Sequence, residues 1–129
     1  MQVPDDLRYS EDHQWVRAEG ELWRIGITEY AQEALGEVTV VRVNEAEDPI
    51  EAGAEMGEIE AFKAMTDLYM PVAAVVVEHN RGLAEAPTSV NTDPYGEGWL
   101  CTIRPQEADD LGALLDAAAY RQLIGVDDA

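Results

Sequence analysis

Residues 56–70, MGEIEAFKAMTDLYM, contain two strand-like runs separated by a short turn. Residues 56–61 lead into Phe62-Lys63-Ala64, and residues 65–70 lead away from it. Two such runs joined by a few residues predict a β-hairpin. We therefore expect Lys63 at the tip of a hairpin, where its side chain projects from a rigid support.

Lys63 is also the only lysine among the eight basic residues of the chain. The others are all arginines: Arg8, Arg17, Arg24, Arg42, Arg81, Arg104 and Arg121. A lysine amine can lose its proton and be acylated, whereas a guanidinium in practice cannot. The composition thus favours a role for the amine chemistry of Lys63, although chance or an engineered composition explains the count equally well.

Strand and helix signals surround the hairpin on both sides. Short strands are predicted over residues 7–9, 15–18, 22–27, 38–43, 72–77 and 99–104. Thr28 and Gly36 are residue types that begin and end helices, so a short helix is predicted over residues 29–35. Residues 44–49 form a polar break, and residues 91–98 are dense in turn formers. A mostly β domain with short helices is the expected result.

The C-terminal segment after Pro105 has a different pattern. Leucines and alanines recur there at helical spacing, which predicts one or two helices within residues 106–124, divided near Gly112. With a core over about residues 7–104, the 129 residues fit one domain.

The formal charge of −19 excludes some classes of partner. Binding to nucleic acid or to an anionic membrane depends on basic residues, so neither is expected. The acidity suits docking on basic surfaces of larger proteins, but solubility or a salt-rich cytoplasm would also select for it. The N-terminus resembles neither a secretory signal nor a transit peptide, so a cytoplasmic location is expected.

Metal and thiol chemistry find little support in the sequence. Cys101 is the only cysteine and lies in a strand-like run, which predicts a core thiol. Only His13 and His79 remain to join it, and their spacing is not that of a zinc site. No metal site is expected.

Five ordered motifs resemble those of the glycine cleavage H-protein family over nearly the whole chain. They are YSEDHQWV (9–16), GITEYAQEALGEV (26–38), EAFKA (60–64), DLYMPV (67–72) and NTDPYGEGW (91–99). Each motif is modest by itself, but together, in order and at family spacing, they are specific. The resemblance implies a lipoyl/biotinyl-like barrel-sandwich hybrid with short helices and a C-terminal helical segment.

The resemblance also implies a carrier and not an enzyme. Lipoic acid would be attached covalently to Lys63 as a swinging arm. The arm would take an aminomethyl group from a pyridoxal-phosphate glycine decarboxylase and pass it to an aminomethyltransferase. A dihydrolipoyl dehydrogenase would reoxidise the arm, and a lipoate ligase or a lipoyl/octanoyl transferase would attach it. The protein is expected to be monomeric.

The resemblance assigns two groups of site residues. The recognition motif around Lys63 comprises Glu60, Ala61, Phe62, Ala64 and Asp67. The cleft for the loaded arm comprises Asp12, His13 and Gln14, together with Asp67.

Several residues depart from the family pattern. Gln14, Ala61 and Phe62 stand where Glu, Ser and Val are usual. Ala74 stands where a turn glycine is usual, and it would be strained if the backbone there needs a positive φ. Two alternatives therefore stay open: a lipoyl or octanoyl relay for other lipoate-dependent or sulfur metabolism, and a non-lipoylated scaffold that keeps the fold.

Overall fold

Two antiparallel sheets form the framework of this computed structural model, which describes residues 2–44 and 48–125. Their strands are β1 (Arg8–Tyr9), β2 (Gln14–Glu19), β3 (Leu22–Ile27), β4 (Val38–Val43), β5 (Glu55–Ala61), β6 (Met65–Tyr69), β7 (Ala74–His79) and β8 (Cys101–Pro105). The five-stranded sheet has the order β1-β2-β3-β8-β7, and the three-stranded sheet has the order β4-β5-β6. The predicted mostly β class is confirmed.

The main core contains apolar residues from both sheets. Val16, Ile25 and Ile103 of the five-stranded sheet share one buried cluster with Ile59 and Leu68 of the three-stranded sheet. Alternating side chains of a strand point to opposite faces, so each sheet contributes one apolar face. This shared core fixes the β5–β6 hairpin against the rest of the molecule.

A second cluster joins the two ends of the chain. The rings of Tyr9 and Tyr120 stack with their centroids 4.6 Å apart. The backbone groups of Tyr9 and Leu115 exchange two hydrogen bonds of 2.8 Å, which occupy part of the β1 edge. The helix α3 (Ala117–Ile124) begins at the N-cap Asp116, whose side chain accepts a bond from the Ala119 amide. The C-terminal segment is thereby docked beside β1 and β2.

The helices agree with the sequence prediction only in part. Residues 29–35 form the helix α1 (Glu29–Leu35) with the bounds predicted for it. The helix α2 (Ser89–Thr92) was not predicted, because a single turn within a run of turn formers has no distinct periodicity. The C-terminal prediction needs correction: a 3-10 helix spans Ala108–Ala113, and it ends after Gly112 and not at it.

Two further sequence predictions shift at their boundaries. The strand predicted over 72–77 begins at Ala74, and the last strand covers Cys101–Pro105 instead of 99–104. A 3-10 helix occupies Arg81–Ala84. Residues 45–47 of the predicted polar break lie outside the described residues.

Ala74 is not strained in this fold. It does not have a positive φ, and it exchanges two backbone hydrogen bonds with Ile50, of 2.8 and 3.0 Å. The backbone here is extended, so this position does not require a glycine.

Candidate functional site

Lys63 lies in the turn between β5 and β6, as the sequence predicted. The Ala61 amide donates to the Ala64 carbonyl at 2.9 Å, which closes the turn. Residues 62–64, called the hairpin tip below, are all exposed. The turn thus presents the lysine at the end of a paired, rigid element.

The hairpin tip is fastened to the C-terminal end of α1. The Phe62 amide donates to the Glu37 carbonyl at 2.8 Å, and the Lys63 amide donates to the Leu35 carbonyl at 3.1 Å. The last carbonyls of a helix have no partner within the helix, so the tip satisfies one of them. The position of the tip is therefore set by tertiary hydrogen bonds as well as by the turn.

Gly36 makes room for the aliphatic part of the Lys63 side chain. Gly36 is the C-cap of α1 and has a φ of 81°, a conformation that favours glycine. A Cβ atom added there would lie 2.8 Å from Lys63 Cε and 3.2 Å from Lys63 Cγ. Lys63 Nζ donates to the Glu33 carbonyl at 3.3 Å. The ammonium thus lies at the end of the helix that carries partial negative charge.

A cleft of about 250 Å³ runs along α1 beside this lysine. Its walls come from the turn before β2, from α1 and from β6: Asp12, His13, Gln14, Ile27, Tyr30, Ala31, Ala34, Leu35, Thr66, Asp67 and Leu68. The cleft brings the consecutive residues Asp12, His13 and Gln14 together with Asp67, which lies far from them in sequence. Leu35 both lines the cleft and bonds to the Lys63 amide, so the lysine and the cleft share one turn of α1.

The carboxylates make the mouth of this cleft electronegative. Asp12 and Asp67 are exposed, and the Tyr69 hydroxyl lies 3.5 Å from Asp67 Oδ2. The charge of Asp67, followed by partial burial and the charge of Asp12, raises the pKa of Tyr69 above its usual value. Both carboxylates thus act on the same region, and a cation is favoured there.

Both polar atoms of the Gln14 side chain bond to the backbone of β6. Its Nε2 atom donates to the Tyr69 carbonyl at 2.6 Å, and its Oε1 atom accepts from the Tyr69 amide at 2.9 Å. The side chain is 1% exposed. A side-chain amide both donates and accepts in this way, whereas a carboxylate can only accept. Gln14 therefore links the two sheets and forms the floor of the cleft.

His13 has an unusual backbone conformation at the edge of the cleft. Its φ of 66° lies in the left-handed region, which histidine adopts uncommonly and at some cost. The ring packs 4.9 Å from the Tyr30 ring, and Nδ1 lies 3.0 Å from the Tyr120 hydroxyl. Partial burial lowers the pKa of His13, with Asp12 opposing the shift. The ring is therefore neutral at pH 7.

The Tyr120 hydroxyl connects this histidine to the start of α1. It lies 2.7 Å from Thr28 Oγ1, and Thr28 accepts a hydrogen bond from the Ala31 amide as the N-cap of α1. Burial raises the pKa of Tyr120 well above its usual value, so the hydroxyl stays protonated. Tyr120 was not predicted from the sequence, because no local signal connects it with His13 and Thr28, which lie 107 and 92 positions earlier.

The predicted recognition motif divides into supporting and exposed residues. Ala61 is half-buried and packs against the core, while Glu60 lies 3.2 Å from Arg42. Phe62 is 84% exposed and Ala64 is exposed as well. Nothing in the sequence indicated the role of Gly36 other than as a helix terminator.

Other chemistry finds no support in the described residues. They contain no group of three or more His, Cys, Asp or Glu that could hold a metal ion. Cys101 is buried in the core, as predicted, and burial raises the pKa of its thiol to about 12. Among the described helices, none is long and apolar enough to cross a membrane.

Comparison with known proteins identifies the family to which this chain is similar. The family model described as glycine cleavage H-protein matches residues 7–126. A glycine cleavage system H protein of Chlorobium limicola is 46% identical over 127 residues, covering 97% of this chain and 99% of that relative. One of Anaeromyxobacter sp. strain K is 43% identical over 124 residues, covering 96% and 97%.

A solved structure extends the similarity to three dimensions. The crystal structure of a glycine cleavage system H protein from Mycobacterium marinum superposes with a TM-score of 0.86 at 35% identity. The match covers 96% of this chain and 100% of that chain. The predicted barrel-sandwich fold is confirmed by this match.

Proposed function

Because the chain belongs to the glycine cleavage H-protein family, we propose that Lys63 is the residue to which its lipoyl group is attached. Proteins of this family are lipoyl-carrying shuttles of the glycine cleavage system and are not enzymes. When attached, the group supplies the sulfur atoms that take up an aminomethyl group from glycine decarboxylase and give it to the aminomethyltransferase. The residues of this chain present, position and shelter the group.

One observation carries the assignment of Lys63. Its amine lies at an exposed hairpin tip that two backbone hydrogen bonds hold against α1, and Gly36 leaves a cradle that a Cβ atom would fill. A long prosthetic arm on this amine requires an accessible attachment point on a rigid support. Lys63 meets both conditions, and it is the only lysine in the chain.

The residues of the cleft have separate roles in this proposal. Asp12 and Asp67 provide negative charge for a cationic amine brought into the cleft, and Tyr30 and Leu35 provide apolar surface. His13 is neutral and does not oppose the cation. Gln14 acts through its hold on Tyr69 and not through a free polar atom.

The recognition motif and the partners follow from the same assignment. Glu60, Ala61, Phe62 and Ala64 form the segment that the attaching enzyme meets, with Asp67 at the cleft. The partners are the decarboxylase, the aminomethyltransferase, dihydrolipoyl dehydrogenase and the enzyme that attaches the lipoyl group. We place the protein in the cytoplasm and expect it to act as a monomer.

The function is tested by glycine–bicarbonate exchange with a purified glycine decarboxylase. The chain that carries a lipoyl group is expected to support exchange. The same chain before lipoylation is expected not to support it. The Lys63→Arg variant is expected not to support it even after incubation with the lipoylating enzyme. Equal exchange by the unloaded chain would contradict a carrier role. Exchange by the treated Lys63→Arg variant would contradict the assignment of the attachment residue.

A further inference from the structure

The hairpin tip exposes two large apolar side chains beside the lysine. Phe62 is 84% exposed and Met65 is 61% exposed, the two highest values among the exposed large apolar residues of the described chain. Scattered exposed apolar residues are ordinary. These two, however, lie within three residues of each other and on either side of Lys63.

Backbone hydrogen bonds hold the segment that carries Phe62. Its amide is bonded to the Glu37 carbonyl, and the next amide is bonded to the Leu35 carbonyl. Ala61, the residue before it, packs against the core. The backbone on both sides of Phe62 is therefore positioned by tertiary contacts, and the ring lies in water, an unfavourable exposure that burial against a partner surface would relieve.

The surroundings of the apolar pair are acidic. Glu33, Glu37 and Asp67 are exposed near Lys63 or along the elements that hold it. Arg42, the cation of the neighbouring strand, is paired with Glu58 and Glu60 at 2.8 and 3.2 Å. A partner surface that complements this region is apolar at its centre and basic at its rim.

Resting on the proposed function, we propose that Phe62, supported by Met65, is the apolar anchor by which the acyl-transferring enzyme recognises this chain. That enzyme must bring an activated acyl group to bonding distance of Lys63 Nζ. Its active-site mouth consequently covers the residue next to the lysine. An aromatic ring buried at the centre of such a contact is a common determinant of binding.

Acylation of Lys63 requires its Nζ atom to be positioned against the activated acyl group. Lys63 Nζ loses a proton and attacks the carbonyl carbon of an acyl phosphate anhydride or thioester. The N–C amide bond forms, and the bond to the phosphate or thiolate breaks with its electron pair passing to that leaving group. A second proton then leaves the nitrogen. Phe62 takes no part in these steps, so it is expected to affect KM more than kcat.

The test compares octanoylation of exposed-residue variants by a purified lipoate ligase with octanoate and ATP, followed by intact mass. Phe62→Ser is expected to lower kcat/KM about tenfold or more, mainly through KM, and Met65→Ser to lower it less. Phe62→Leu, which keeps an apolar side chain, is expected to recover most of the loss. The matched control Val77→Ser removes a 43% exposed residue from β7 and is expected to leave the rate unchanged.

Three results would overturn this inference. The first is a Phe62→Ser rate equal to that of the original chain, and the second is a Phe62→Leu rate as low as that of Phe62→Ser. The third is unchanged acylation combined with weakened glycine–bicarbonate exchange, which would make the decarboxylase the partner that binds the ring. Failure of the proposed function looks different, because the original chain itself would then not be acylated.

Discussion

Gln14 and Tyr69 form a two-bond pair that joins the five-stranded sheet to the three-stranded sheet. The amide nitrogen of Gln14 donates to the Tyr69 carbonyl at 2.6 Å, and the amide oxygen accepts from the Tyr69 nitrogen at 2.9 Å. A side chain that is both donor and acceptor thus substitutes for a backbone partner at the edge of β6. The two hydrogen bonds with Tyr69 explain why a neutral glutamine at position 14 suits this structure.

Replacing Gln14 with the glutamate usual in the family is therefore expected to destabilise this chain. A carboxylate accepts from the Tyr69 amide but faces the Tyr69 carbonyl without a proton. The loss is expected to be about 1–3 kcal/mol of unfolding free energy, measured by urea denaturation at pH 7. The difference from the original chain should shrink at acidic pH, where a protonated carboxyl donates again; a gap that widens on acidification would contradict this explanation.

His13 should make stability depend on pH in a defined direction. Its pKa is lowered in the folded state, so the unfolded chain binds more protons. The stabilisation is present above the unfolded pKa of about 6.5 and is lost as pH falls through that value toward the lowered one. His13→Asn tolerates the left-handed φ and should remove this part of the pH dependence.

The measurement is urea unfolding of both proteins at several pH values between 7.5 and 4.5. The two curves contain the same carboxylates, so their difference isolates His13. We expect the original chain to lose stability relative to His13→Asn as the pH falls. A constant difference between the two curves would show that the histidine does not titrate differently on folding.

Gly36 is expected to matter for the lysine in a way that another glycine does not. Gly36 and Gly53 have φ values of 81° and 82°, but a Cβ on Gly53 has nothing within 4 Å. Gly36 combines this φ with a ψ of −160°, a conformation essentially restricted to glycine, so alanine there should cost about 1–3 kcal/mol from backbone strain. Only Gly36→Ala should also displace the Lys63 stem and slow octanoylation several-fold.

Gly53→Ala is thus the control for a Cβ atom that is added at a positive φ and contacts no neighbour. Thermal unfolding and the octanoylation rate would be measured for both variants. Equal octanoylation rates for the two variants would show that the space left by Gly36 does not position the Lys63 side chain.

The elements of this fold with strong local signals could be predicted from the sequence. Thr28 and Gly36 bound α1 because each satisfies backbone groups at a helix end. The β5–β6 hairpin follows from two apolar runs around Lys63. These signals depend on neighbours within a few residues, so they need no tertiary context.

The features that complete the site are non-local, and the sequence did not reveal them. The bonds from Gln14 to Tyr69 and from His13 to Tyr120 span 55 and 107 positions. The left-handed φ of His13 was not predicted, because histidine adopts that conformation uncommonly. Family resemblance placed Asp12, Gln14 and Asp67 in one cleft, but only the structure shows that the Gln14 amide is already paired.

The central claim is that Lys63 is the attachment residue, and intact-mass measurement tests it most directly. After incubation with lipoate, ATP and a lipoate ligase, the original chain is expected to gain the mass of one lipoyl group, and Lys63→Arg none. The arginine keeps the charge but cannot be acylated in practice, and the variant removes the only lysine. A lipoyl adduct on Lys63→Arg would contradict the account.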